Sequence, residues 1–500
     1  MKNAFASALD QEARHTYTEN GAQALNSTGH AVLDMFGSIG SLRMADPLRI
    51  QRIFADAYNE NPLLAMKCLF YARDIRGGLG ERNTFRILLK YAAEHHPEAV
   101  TKNMDLIGLY GRYDDLYVLV GTQLEKAMWT YMKARLTADE AAMNEHKPCS
   151  LLAKWIKTPD ASSSNTRKMG ILTAKNMGMS VYVFKRKLRA LRKYIDVVER
   201  KMTAKEWNLI DYETVPSRAM TLYRNAFTKH DEARYKKFIQ KVEKGEATIH
   251  AATLYPYDLL EKYMKGANRW RGGLTAEFDP VIEAQWKALP NYVEGNTNAI
   301  VIADTSGSMT CNNYRPMSTS VGLAIYFAER NRGAFHNLWM SFSSDSKVQR
   351  LRGETLAQKI QSIDTSHWEN DTNLEAALMH ILNIAKQHNV PQDEMVKSII
   401  IISDMEINMC VSEKWTFYDE MYLRYSRAGY QLPNIVFWNC NSRNDIFHAD
   451  AKRKGVQLCS GSSPSTFKHL MGCINMTPID MMLQVLNSER YSLVKIGGNN

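Results

Sequence analysis

Through the first 290 residues the apolar positions recur every three to four residues. In ERNTFRILLKYAAEHH, Phe85, Leu88, Leu89 and Ala92 fall at i, i+3, i+4 and i+7, one stripe of an amphipathic helix. Pro97 predicts the start of the next helix, because its fixed φ and missing N–H suit a first turn. PLLAMKCLFYARD, led by Pro62, and GRYDDLYVLVGTQLEKAMWTYMKARL keep the same period. Short connections between such helices make neighbours antiparallel, which predicts helical hairpins stacked as HEAT-like repeats. From about residue 296 the pattern changes. NAIVIAD, HNLWMSFSS, KSIIIISD and PNIVFWNC are short apolar runs rich in β-branched and aromatic residues, alternating with helical segments such as STSVGLAIYFAERN and TNLEAALMHILNIAKQHN. This alternation predicts βαβ units and a mostly parallel sheet covered on both faces. HNLWMSFSSDSKVQRL reads as a hairpin that adds an antiparallel edge. The expected fold class is α plus α/β: a helical-repeat region over 1–295, a doubly wound, Rossmann-like domain over 296–490 and a tail over 491–500.

Two stretches interrupt the helical half. RDIRGGLGER (73–82) and GRYDD (111–115) place Gly, Arg and Asp at helix junctions. The glycines Gly77, Gly78 and Gly80 are no phosphate loop, since no Lys followed by Ser or Thr comes after them. They read as a helix stop, with Arg73, Arg76, Arg82 and Arg112 pairing to Asp74, Asp114 and Asp115. The other reading gives Arg76, Arg82 and Arg112 a phosphate to contact at the helix N-terminus opened by Glu81. KTPDASSSNTRKMG (157–170) is polar and rich in small residues, which predicts an exposed loop or linker.

Composition adds exclusions. With 45% hydrophobic and 23% charged residues the chain can bury more than one core, which confines disorder to short segments. No stretch approaches the ~18–20 apolar residues of a membrane span, and the N-terminus has no apolar signal region, so a cytoplasmic protein is expected. Seven cysteines without a C-x-x-C pair imply reduced thiols, and Cys459, Cys473 and His469 lack the paired spacing of a zinc site.

Charge is unevenly placed. Residues 151–250 hold 22 Lys plus Arg against 10 Asp plus Glu, a net of +12, while the whole chain carries +10. A basic segment in a near-neutral protein is the footprint of nucleic acid or another polyanion, or else a solvated helical face. VYVFKRKLRALRKYIDVVERK interleaves Tyr182, Phe184 and Tyr194 with cations, and helical spacing assigns those rings to the core. The candidate phosphate contacts are Lys185, Arg186, Lys187, Arg189, Arg192 and Lys193, then Arg234, Lys236, Lys237 and Lys241.

The most specific chemistry lies at the carboxyl ends of the predicted strands, where open α/β sheets bind ligands. Asp304, Ser306 and Ser308 follow the first strand in DTSGS, Thr372 sits at a loop-to-helix junction in WENDTNLEAAL, and Asp404 ends SIIIISD. Two carboxylates and three hydroxyls from three loops are hard oxygen donors, suited to Mg²⁺ or Mn²⁺ with one position left for an outside acidic or phosphate ligand. A hydrogen-bonded loop cluster without metal is the alternative. A phosphoryl-accepting Asp304 lacks a second aspartate two residues on, where Ser306 stands, and no G-x-S-x-G elbow supports a serine nucleophile.

These residues resemble the von Willebrand factor A (vWA) domain and its metal-ion-dependent adhesion site (MIDAS). DTSGS matches D-x-S-x-S, Thr372 and Asp404 fall where the family's threonine and later aspartate come, and Asp371 stands where a glycine is frequent. A helical half joined to an A domain is similar to the TROVE, Ro-type RNA-binding proteins. RDIRGGLGER, GRYDD and RYKKFIQKVEKGEATIHAATLYPYDLLEKY are shared with a set of largely uncharacterised proteins that also carry the A domain. The resemblance implies a non-enzymatic protein that binds RNA on its basic helical surface, with a metal at Asp304, Ser306, Ser308, Thr372 and Asp404 engaging an acidic protein partner. The alternative is a metal-dependent interaction scaffold without nucleic acid.

Overall fold

The computed structural model describes residue 9 and residues 12–265, 273–293, 297–342, 346–366, 368, 372–408, 417–472 and 475–497. A short antiparallel pair, β1 (His15–Tyr17) and β2 (Gln23–Leu25), precedes a run of helices that continues to Lys287. The helical start signals act locally as expected. Asp46 caps Pro47–Glu60 by accepting from Leu48 N at 2.8 Å, and Asn61 ends that helix and caps Pro62–Arg73 by accepting from Leu64 N at 3.0 Å. Phe85, Leu88, Leu89 and Ala92 form the buried face of Arg82–His95, and Pro97 opens Pro97–Lys102. The predicted 157–170 loop is shorter than expected. Ser163 caps a helix, Ser164–Asn176, whose first half lies in that stretch.

The carboxyl-terminal part is a six-stranded sheet in the order β5 (Val348–Arg350), β4 (Leu338–Phe342), β3 (Ala299–Asp304), β6 (Ser398–Ser403), β7 (Asn434–Asn439), β8 (Val456–Ser460). All neighbours are parallel except β4 and β5, the predicted antiparallel edge. The fold class read from the sequence, helical region then doubly wound α/β, is the one observed. Helix Cys311–Arg330 packs against β3, β4 and β6, and Leu374–Gln387 against β4. At the β8 end, helix Ala31–Ser38 from the N-terminal half packs on β7 and β8 beside Pro478–Leu486. Gly40 passes so close to Gly461 that a Cβ would meet its backbone at 2.7 Å, and Gly40 N donates to Ser460 Oγ at 2.9 Å.

One hydrophobic cluster therefore runs from Ala24 to Val494 across both halves. A smaller one joins Val198, Tyr212, Phe227, Phe238 and Val281 within the basic region. The expected tail begins with buried residues: Tyr491 and Val494 are in the main core, and Lys495 N donates to Asn103 Oδ1 at 2.9 Å.

The two interrupting motifs meet in the interior. At Gly78 a Cβ would lie 2.1 Å from Tyr71 O, and Leu79 N and Glu81 N donate to the last-turn carbonyls of Tyr71 and Ala72, which ends helix Pro62–Arg73. Arg73 Nε donates to Asp115 Oδ2 at 2.8 Å, Arg86 reaches Asp115 at 2.6 Å and Asp114 at 3.0 Å, and Arg112 Nε holds Asp114 at 2.8 Å. Asp74 turns instead to the far end of the chain, to Arg490 Nη2 at 2.7 Å and Tyr491 Oη at 3.1 Å. Arg76 and Arg82 stay exposed. Because Asp115 is fully buried and Arg73 is 4% exposed, Asp115→Asn should cost about 3–5 kcal/mol of stability in urea unfolding, with the slope unchanged. A loss below about 1 kcal/mol would mean that the pair is solvated.

Candidate functional site

The sheet changes direction at β3, with β4 on one side and β6 on the other, and the predicted donors gather at the carboxyl ends of β3 and β6. Asp304, Ser306 and Asp404 are buried, Ser308 is half-buried, and Thr372 is 3% exposed. Ser306 N donates to Asp304 Oδ1 at 2.9 Å, Ser403 Oγ to Asp304 Oδ2 at 2.7 Å, and the hydroxyls of Ser306 and Ser308 lie 3.1 Å apart. Asp404 and Thr372 are joined through Glu406. Glu406 N donates to Asp404 Oδ1 at 3.3 Å, and Glu406 O accepts from Thr372 Oγ1 at 3.2 Å. Asp371 lies outside the described residues.

Electrostatics mark this edge. Burial first and the charge of Asp404 second push the Asp304 carboxyl up to about 7, although Ser403 and Ser306 hydrogen bonds pull it back. Two desolvated carboxylates on neighbouring strand ends, with two hydroxyls beside one of them, have the chemistry that a hard divalent cation relieves. The donor set fits such an ion, with Asp304, Ser306, Ser308 and Asp404 as its holders and Thr372 tied to the Asp404 loop. Sequence reasoning missed Arg443, whose Nη2 donates to Asp404 Oδ2 at 3.2 Å, and Asn20, whose Nδ2 donates to Thr372 Oγ1 at 3.0 Å. Both contacts bridge long stretches of chain, so no local pattern announces them.

The basic segment divides sharply. On helix Val181–Tyr194, Phe184, Leu188 and Leu191 are buried, which leaves Tyr182, Arg186, Arg189 and Lys193 on the opposite, exposed stripe. Tyr182 is 73% exposed, with the Arg186 guanidinium 6.0 Å from its ring, so only Phe184 takes the core role expected of the three rings. Tyr194 lies at the surface, its hydroxyl on Lys147 O. Among the described residues Arg189, Lys193, Lys237 and Lys241 have no carboxylate partner. The other candidates are engaged. Lys185 pairs with Asp160 at 3.1 Å, Lys187 with Glu140 at 2.5 Å, and Lys236 with Glu232 at 2.6 Å. Arg192 Nε donates to Ala153 O at 2.7 Å, and Arg234 holds Trp207 O and Ile210 O while lying over Tyr212. Near the glycine turn, Arg112 stacks 3.9 Å from Trp155 and pairs with Asp114, and exposed Arg82 has its proton affinity lowered by burial and by Arg86 and Arg112.

Comparison with known proteins assigns the chain. Residues 18–150 and 149–297 match the domain of unknown function DUF2828. The chain belongs to the DUF2828 family. Residues 298–490 match a second domain of unknown function, DUF7788. This DUF2828 chain is 26% identical over 522 residues to the uncharacterized protein L728 of Acanthamoeba polyphaga mimivirus, covering 96% of the chain and 88% of L728. It is similar to the crystal structure of the Deinococcus radiodurans RO (RSR) protein at 14% identity and a TM-score of 0.34, over 90% of this chain and 93% of that one. Among the described residues no helix is long and apolar enough to cross a membrane.

The raised carboxyl of Asp304 gives a directional test. An unfolded aspartate ionises above its ordinary 3.8 and the folded one above about 7, so the cost of the buried charge is absent below the first value and complete above the second. In chelator at pH 8, Asp304→Asn should therefore unfold at a higher temperature than the parent chain, and the gain should shrink towards pH 4. A lower melting temperature at pH 8 would show that the ionised carboxylate is already compensated.

Proposed function

We propose that this DUF2828 protein is a non-enzymatic RNA-binding protein, with a basic helical face for RNA and a divalent-cation site at the sheet edge for a protein partner. The observation that carries the RNA reading is the stripe Tyr182, Arg186, Arg189, Lys193: an exposed ring among cations at helical spacing, on a helix whose other face is locked in the core. Exposed tyrosine is a stacking platform and guanidinium and ammonium groups take phosphates, so the stripe suits single-stranded RNA better than a duplex. Lys237 and Lys241 would add phosphate contacts on a second helix. Affinity then comes mainly from counterion release.

At the sheet edge, Asp304, Ser306, Ser308, Asp404 and Thr372 would hold Mg²⁺ or Mn²⁺, which supplies an open electrophilic position to an acidic side chain of the partner. The buried, mutually repelling carboxylates support this part. A second reading, a cation-dependent scaffold without nucleic acid, draws on the fact that half of the candidate cations already have partners.

Purification at low salt should bring nuclease-sensitive RNA that leaves as salt rises. Replacing Arg186, Arg189 and Lys193 by Glu should lower the slope of log affinity against log salt by roughly 3, about one per lost contact. An unchanged slope would remove RNA from this face and leave the scaffold. Separately, Mg²⁺ at about 100 times its Kd should stabilise the chain by about 2.7 kcal/mol, an effect absent in Asp404→Ala. Equal stabilisation of that variant would place the ion elsewhere.

A further inference from the structure

The N-terminal β1–β2 hairpin does not simply start the chain; its turn is seated on the rim of the carboxylate edge. Thr18 Oγ1 donates to Ile407 O at 2.7 Å, Glu19 N to Glu406 Oε2 at 2.7 Å, and Asn20 Nδ2 to Glu406 O at 2.6 Å as well as to Thr372. Gly21 bridges to Asn408, and Leu25 to Phe447. Two elements far apart in sequence, the loop after β6 and the loop after β7, are thus both held by residues 18–25.

The side chain of Glu19 enters this arrangement in a specific way. Its Oε2 accepts from Arg443 Nη1 at 2.5 Å, and its Oε1 from Asn444 Nδ2 at 3.0 Å, so both carboxylate oxygens are gripped by consecutive residues. The other edge of the same guanidinium is on Asp404 at 3.2 Å, and Asn444 also donates to Glu406 Oε1 at 2.9 Å. One cation therefore spans the Glu19 carboxylate and a carboxylate proposed to hold the metal. A guanidinium fork plus an amide is a receptor for one carboxylate, and it lies where an acid approaching Asp404 from outside would arrive. Glu19 is 45% exposed and sits on a two-stranded hairpin, so its hold is exchangeable.

We propose that Arg443 and Asn444 form a carboxylate receptor beside the cation site and that Glu19 is its internal occupant, displaced when an acidic side chain of a partner protein binds. The inference rests on the cation reading above and adds to it a residue of this chain that competes with the partner. When a cation takes over Asp404, Arg443 loses one of its two acids and keeps the other position for the incoming carboxylate. Glu19 sets how strong a partner must be.

The test uses the full chain loaded with Mn²⁺ and titrated with acetate, read by water-proton relaxation, which falls as a carboxylate replaces water on the ion. Glu19→Gln should bind acetate at least tenfold more tightly than the parent chain, and Arg443→Met should bind it more weakly than Glu19→Gln. Equal acetate affinity in the parent and Glu19→Gln would overturn the proposal. Should either variant fold poorly, amide exchange on the unaltered chain decides. Mn²⁺ with acetate should speed exchange of residues 18–25 relative to Mn²⁺ with chloride, and unchanged exchange there overturns the displacement. Failure of Mn²⁺ to bind the unaltered chain overturns the cation reading and this inference with it, a result distinct from bound Mn²⁺ with no effect of Glu19.

Discussion

Arg73 and Asp74, consecutive residues where one helix ends, bind in opposite directions, and the assembly of the molecule hangs on that divergence. Arg73 commits its guanidinium to Asp115 inside the helical layer. Asp74, 1% exposed, receives Arg490 and Tyr491 from the end of the sheet half. Burying four such groups is tolerable only because each has its partner, since a desolvated charge left alone costs several kcal/mol. The glycine turn that follows makes the geometry possible. Gly78 clears the Tyr71 carbonyl, and Gly80 takes a φ of +68° next to the Tyr255 hydroxyl, where a Cβ would collide at 2.2 Å. The motif that looked like a ligand loop is the joint between the two halves.

This joint also marks how far the sequence could be read. Signals that act within a turn or two were legible: the Phe85 to Ala92 stripe, the proline starts, the apolar strands, the antiparallel edge and the order of donors at the strand ends. The motif arginines were legible only in kind. Arg73 and Arg112 do pair with aspartates, yet Arg76 and Arg82 remain at the surface while Arg86 takes the place expected of them. Asp74 finds its partner more than 400 residues away, a pairing that no periodicity encodes. The same holds for Arg192 and Arg234, which read as phosphate contacts from charge alone but spend their donors on backbone carbonyls. A cation's use is decided by whether an orphan carbonyl lies within reach, and that is tertiary information.

At the sheet edge, the same principle of compensation works with charges of one sign in excess. Asp304, Asp404 and Glu406 lie close together, and burial raises the carboxyls of Asp304 and Glu406. Arg443 is the compensating cation within the chain, and the N–H groups and amides of residues 19, 20 and 444 supply donors to the remaining oxygens. An edge that depends on a long, partly exposed arginine for neutrality is an edge at which a small divalent ion competes well, because it carries twice the charge and needs no side-chain entropy to stay in place.

The two basic patches differ in how they are anchored. Phe184, Leu188 and Leu191 belong to the main core, so the Tyr182 to Lys193 stripe is fixed to the same body as the strands that carry Asp304 and Asp404. Lys237 and Lys241 sit on helix Glu232–Glu243, whose Tyr235, Phe238 and Ile239 belong to the smaller cluster built on Val198, Tyr212 and Phe227. A cluster of that size opens at lower free energy than the main core, since fewer apolar contacts are lost. A polyanion crossing both patches would therefore be gripped firmly at the first and adjust at the second. Tyr182 strengthens the first grip in a way charge alone cannot, because stacking requires a base and persists at salt concentrations that screen the lysines.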